Sequence, residues 1–136
     1  MKRTVVTRPE KLFFHALYRY PAEWYFGRVN KKTAALIFDV CGIDTYGYKL
    51  QLTEEYLRHF FNRHYQDRIR SQRNLCYNDV KRLNDTVNRC FEVKRGNRTN
   101  TIRIKTEYPD GVAVFVLEIF TNRKTLSGKS LRIENP

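Results

Sequence analysis

Residues Leu52–Ile69, LTEEYLRHFFNRHYQDRI, carry the pattern from which the rest of the chain is read. Tyr56, Leu57, Phe60, Phe61, His64 and Tyr65 recur three and four positions apart, so in a helix they share one broad face. Thr53 stands where an N-cap belongs. Glu54 and Glu55 fall in the first turn, where carboxylates favour the helix dipole. His64 lies beside this aromatic stripe, with Arg63 and Arg68 flanking it. An imidazole among guanidiniums, on a rigid helix, suits phosphate chemistry.

Upstream, Leu12, Phe13, Leu17 and Tyr18 predict a short helix with Pro9 near its start, ended by Pro21. The segment AEWYFGRV holds Trp24, read as a core anchor. Thr33–Ile43, TAALIFDVCGI, is the most apolar run of this half and reads as a buried strand, with a helix the alternative that its length leaves open. Asp44–Lys49, DTYGYK, reads as a turn.

Downstream, Arg68–Arg73 is a basic connector, and NDVKRLNDTVNRCF predicts a second helix capped by Asn78 or Asp79. Val80, Leu83, Val87 and Cys90 mark its inner face. The period then changes to two. FEVKR is a short strand from Phe91, and Gly96–Asn97 a turn. In Thr101–Tyr108, Ile102 and Ile104 fall on one face, Arg103 and Lys105 on the other. Pro109–Asp110–Gly111 is a hairpin turn. Val112–Phe120, VAVFVLEIF, is apolar on both faces and is therefore central, and Lys124–Ile133 is a last strand with a bulge at Gly128. These elements predict an α+β fold: an N-terminal helix and strand, two central helices, then a C-terminal four-stranded antiparallel sheet with helices on one face. The 136 residues suit one domain, with residues 1–51 an N-terminal extension or layer and residues 52–136 the core.

The chain is 41% hydrophobic and 29% charged, a globular balance. Its net charge of +12 comes from 26 Lys and Arg against 14 Asp and Glu, spread along the sequence. Such a field draws polyanions, nucleic acid above all. No run approaches the roughly 20 apolar residues of a membrane span, so a membrane partner is not expected. MKRTVVTRPEKLFF lacks the apolar core and cleavage site of a signal peptide. Cys41, Cys76 and Cys90, odd in number and without paired spacing, read as reduced and mostly buried thiols. Cytoplasmic residence follows. No phosphate-cradling glycine motif and no HExxH occurs, so neither a cofactor nor a metal is indicated.

Cleaving RNA without a metal needs a base for the 2′-hydroxyl, an acid for the leaving 5′-oxygen, and cations on the phosphorane. His64 suits proton transfer. Arg103 and Lys105 on one strand, and Thr125, Ser127, Lys129, Ser130 and Arg132 on the last, supply cations and hydroxyls. A helix laid across such a sheet would bring these groups together.

The order of motifs resembles the barnase–EndoU–colicin–RelE-like nuclease superfamily of phage and toxin systems. The residues that carry it are Arg63–His64, NDVKRLNDTV, FEVKR, VAVFVLEIF and KTLSGKSLRI, so it spans about residues 52–133. The resemblance implies a metal-independent endoribonuclease, acting on RNA such as tRNA, with His64 as acid/base and Ser130 as the phosphate-contacting hydroxyl. Lys129 and Arg132 would then be the nearest cationic helpers. From the charge pattern itself, Arg103 joins the catalytic group, and Arg63, Arg68, Lys105, Arg132 and Ser127 would bind the nucleic acid. It also implies an acidic inhibitor protein as partner, and delivery into a target cell as an alternative to cytoplasmic residence. Two other classes fit the composition: a basic nucleic-acid-binding accessory protein without chemistry, and a factor that binds an acidic protein.

Overall fold

The computed structural model describes the backbone of residues 2–66 and 72–135, and their side chains apart from residues 63–66. In chain order the described elements are β1 (Thr4–Val6), α1 (Pro9–Tyr18), β2 (Ala22–Arg28), α2 (Lys31–Cys41), β3 (Lys49–Thr53) and α3 (Glu54–Gln66). After residue 71 come β4 (Gln72–Arg73), α4 (Tyr77–Lys81), α5 (Leu83–Asn88), β5 (Glu92–Arg95), β6 (Thr101–Tyr108), β7 (Gly111–Phe120) and β8 (Thr125–Glu134).

The C-terminal strands form the meander that the period-two pattern predicts, β5–β6–β7–β8, each antiparallel to the next. They are only half of the sheet. Strand β8 also pairs with β3 in parallel, β3 continues antiparallel to β2, and β2 pairs with β1 in parallel. The expected four-stranded antiparallel sheet is thus an eight-stranded mixed sheet in the order β1-β2-β3-β8-β7-β6-β5, with β4 also on β8. The residues before Leu52 supply three of its strands.

Two local misreadings contribute to the difference. Thr33–Ile43, expected as a strand, lies almost wholly in helix α2. The Asn30 side chain accepts a hydrogen bond from the Thr33 amide at 2.9 Å, and Gly42 closes the helix in the left-handed region at φ 73°. Thr33, Ala34 and Ile37 face inward, at helical spacing. The second misreading concerns Leu52, assigned to a helix. It is the inward residue of strand β3, alternating with Gln51 and paired with Trp24. Thr53 keeps its capping role at the junction, its hydroxyl accepting from the Tyr56 amide at 3.4 Å.

The second predicted helix is broken at Arg82 into α4 and α5. Its N-cap is Cys76, whose amide donates to Asp79 at 2.8 Å. Among the three cysteines only Cys90 is buried; Cys76 is exposed and Cys41 intermediate.

Register separates the two sides of the sheet. Ala113, Phe115, Leu117 and Ile119 of β7 align with Ile133, Leu131, Gly128 and Leu126 of β8, all on the core side. Trp24, Leu50 and Leu52 extend this side, and Phe60 of α3 meets Phe115 edge-on, with ring centroids 6.2 Å apart. Helix α5 covers it from above: the Thr106 hydroxyl donates to the Thr86 carbonyl, and Thr86 and Tyr108 share a 2.8 Å hydrogen bond. Burying this much apolar side chain is the main stabilising term of the fold.

Candidate nucleic-acid interface

The opposite side of β6–β7–β8 is polar, and one irregularity shapes it. In a regular strand Ser127 and Lys129 would share a face, with Ser130 on the other. Here Val116 aligns with Ser130 and Leu117 with Gly128, so Lys129 is the extra residue of a bulge. Gly128 takes the crowded core position, where a Cβ would come within 2.8 Å of the Phe115 ring and 3.2 Å of Leu52. Beyond the bulge the alternation is reset. Lys129 and Ser130 become successive residues on the polar side, followed by Arg132.

These residues line a cleft of about 460 Å³. Its floor is Arg103 of β6, Val116 and Glu118 of β7, and Lys129, Ser130 and Arg132 of β8. One wall is Tyr56 and His59 of α3; the other is the β5–β6 turn with Arg95, Asn97 and Arg98. Among the described residues, five cationic side chains line the cleft against one carboxylate.

The cations differ in how firmly they are held. The Lys129 ammonium lies 3.4 Å from Glu118 and 4.0 Å over the Tyr56 ring. Arg132 pairs with Glu134 at 3.0 Å. Arg103, Arg95 and Arg98 form no ion pair among the described residues. The Nε of Arg103 is shielded from solvent and lacks a hydrogen-bond partner there. An anion in this cleft meets guanidinium groups whose donors are not spent on carboxylates.

Of the residues expected from sequence, Arg103, Lys129, Ser130 and Arg132 come together in the cleft. Lys105 lies on the same side one pair further along β6, aligned with Val114 and Arg132 and 4.0 Å from Glu92. Val114 is buried between these two long side chains, whose stems shield it. Ser127 is buried, aligned with Gln51 of β3, and does not line the cleft. The side chains of Arg63 and His64, and all of Arg68, lie outside the described residues.

Among the described side chains, the imidazole that lines the cleft is His59, which sequence reasoning passed over. It is exposed and meets Tyr56 edge-on at 5.9 Å. The signal was there: Leu57 and Phe60 of the apolar stripe are buried in the core, so a reactive ring must stand off that stripe. Tyr56 is half-buried at the edge of that stripe, and His59, three positions on, continues this edge into solvent. Glu118, Arg95 and Arg98 were also missed. Glu118 sits within an apolar strand, and the two arginines flank a turn whose closure no periodicity reveals.

A second arginine cluster lies at the base of β4. Arg73 binds Asp79 through two bonds of 2.8 and 2.6 Å, and Asp110 at 2.7 Å. Arg82 reaches Asp79 at 3.1 Å and Asp110 at 3.4 Å, with its guanidinium 3.6 Å over the Tyr108 ring. Burial by itself would raise the Asp79 carboxyl, but the bonds from Arg73 and the Cys76 amide overcome this and hold it below its ordinary range. For Asp110 the desolvation cost is likewise outweighed by Arg73 and Arg82.

No group of three or more His, Cys, Asp or Glu side chains able to hold a metal ion occurs among the described residues. No helix among them is long and apolar enough to cross a membrane. Compared with protein-family models, curated proteins and solved structures, the chain matches none.

Proposed function

We propose that the protein is a metal-independent endoribonuclease whose site is the cleft on the polar side of β6–β8. One observation carries this reading: a carboxylate and an imidazole line the same cleft as under-paired arginines and a serine hydroxyl. Glu118 takes the proton of a ribose 2′-hydroxyl, and the 2′-oxygen forms its bond to the adjacent phosphorus. The bond from phosphorus to the 5′-oxygen breaks, and the His59 imidazolium protonates that oxygen. A 2′,3′-cyclic phosphate and a 5′-hydroxyl remain. Arg103 and Arg132 face the charge that builds on the phosphorane, and the Ser130 hydroxyl donates to a non-bridging oxygen. Lys129, held by Glu118 in the resting cleft, is released toward phosphate as the carboxylate takes up its proton. Tyr56 offers a ring to a neighbouring base. His64 is the second imidazole of α3 and the other candidate for proton transfer. The substrate is RNA, tRNA included, and an acidic inhibitor protein is the partner that the motif resemblance suggests.

The test is incubation of end-labelled RNA with the purified protein in EDTA. Fragments ending in cyclic phosphate are expected, with the rate lowered about 10²- to 10⁴-fold in Glu118→Gln and in His59→Ala. If RNA is bound without fragments, the protein is an accessory binder. Unchanged cleavage by His59→Ala together with loss in His64→Ala moves the acid to His64.

A further inference from the structure

Helix α1 buries Leu12 and Ala16 and leaves its other side in water. That side is aromatic and apolar: Phe14 is 52% exposed, Leu17 74%, Tyr18 54% and, just past the helix, Tyr20 54%. Exposed rings of this number in one place call for an explanation, because scattered single ones do not. These are not scattered. Phe14 and Tyr18 are 4.9 Å apart between centroids, and Tyr18 and Tyr20 are 6.0 Å apart with planes only 21° from parallel.

The backbone builds this arrangement. The Arg19 amide returns to Ala16 and the Tyr20 amide to His15, the latter at 2.9 Å, so the chain folds back at the helix end. Arg19 makes the turn at φ 59°, a conformation for which glycine is the usual residue. The turn therefore sets Tyr20 alongside Tyr18 and puts a cation between them in sequence. Residues 1–20 carry Lys2, Arg3, Arg8, Lys11 and Arg19 against the single acid Glu10. Glu10 is itself engaged by the Tyr77 hydroxyl at 2.7 Å and by Arg8 at 3.7 Å.

We propose that Phe14, Tyr18 and Tyr20, with Arg19 and Lys11, form a stacking platform for a single-stranded nucleic acid. Flat rings interleaved with cations match unpaired bases strung on phosphates. In a duplex the base faces are already stacked, so the platform selects single strands. A second copy of this chain is a poor occupant, since it would set Lys11 and Arg19 against the same two cations. The platform stands apart from the cleft and does not depend on its chemistry. If both operate, the first twenty residues hold the strand while the cleft acts on it.

The measurement is fluorescence anisotropy with the full chain and a labelled, uncleavable 2′-O-methyl oligouridine. Tyr18→Ala/Tyr20→Ala should weaken binding about tenfold for each ring lost, while Tyr18→Phe/Tyr20→Phe retains it. An abasic strand with the same number of phosphates should bind wild type and the alanine variant alike. Both rings are exposed, so the fold is expected to survive; Tyr18→Ser and Tyr20→Ser, made singly and checked by circular dichroism, provide independent variants. Equal affinity of wild type and the ring variants for the oligouridine overturns the proposal. So does an equal loss on the abasic strand. Ring-dependent binding of polyglutamate that displaces the oligonucleotide also overturns it, and identifies an acidic polypeptide as the occupant. Cleft substitutions that abolish cleavage but leave this binding intact bear only on the cleft.

Discussion

Two clusters of arginine in this molecule behave in opposite ways. At the base of β4, Arg73 and Arg82 meet Asp79 and Asp110, cation for anion, each guanidinium bound to both carboxylates although its Nε has no partner among the described residues. In the cleft, Glu118 pairs with Lys129 and Glu134 with Arg132, while Arg95, Arg98 and Arg103 meet no carboxylate among the described residues. The first cluster joins β4, α4 and the β6–β7 turn. The second leaves its charge available to something outside the chain. A net charge of +12 therefore says less than the way the charges are matched.

Substitutions in the two clusters should separate stability from binding. The largest loss of stability is expected from Asp79→Ala. This carboxylate is 1% exposed, and removing it strands two arginines that remain partly in water. About 3 kcal/mol should be lost in urea unfolding, the lower end for a broken buried pair. Oligonucleotide affinity per folded molecule should not change.

Acid should produce a smaller loss of the same kind. The folded-state pKa values of Asp79 and Asp110 are depressed, so their contribution is fully present above the unfolded carboxylate range near about 4. It is lost as pH falls through the lower folded values. Unfolding followed from pH 5 down to 2 should show this slope, and Asp79→Asn should flatten it.

Gly128→Ala tests the bulge. With the Phe115 ring 2.8 Å from the added methyl, roughly 1–3 kcal/mol should be lost by overpacking, and cleft binding should weaken as Lys129 shifts.

The smallest effect on stability, within about 0.5 kcal/mol, is expected from Arg103→Gln. Its effect on binding is the converse of Asp79→Ala. Affinity for an uncleavable oligonucleotide should fall, and the slope of log affinity against log salt should shrink by about one.

The sequence exposed different parts of the molecule to different degrees. The hairpin β6–β7 could be read because Ile102 and Ile104 alternate with Arg103 and Lys105, a pattern only a strand satisfies. Helix α1 could be read from Pro9 and its inward spacing. Helix α2 was mistaken for a strand because a short apolar run looks the same in either form. The bracketing Asn30 and Gly42, eleven residues of helix apart, were the better guide. Strand β3 escaped because it is short and runs directly into α3, and because one partner, β8, lies far along the chain, with Thr125 beside Lys49; β2 is set by its register between β1 and β3. No local pattern reports such pairing.

The cleft was partly legible for a related reason. Arg103, Lys129, Ser130 and Arg132 could be named from strand chemistry, and Gly128 pointed to the bulge, but its turning of Lys129 and Ser130 to one side shows only against the register of β7. Ser127 lies on the same side of the sheet, opposite Glu118, but it is buried between β3 and β7 and does not line the cleft.

The polar side of β6–β8 is tested most directly by nuclear magnetic resonance titration of the labelled protein with an uncleavable 2′-O-methyl RNA. The largest shifts are expected at Arg103, Lys129, Ser130, Arg132 and His59. Shifts centred on Arg73, Arg82 and Tyr108, with the cleft resonances unmoved, would contradict the assignment of the cleft as the RNA site.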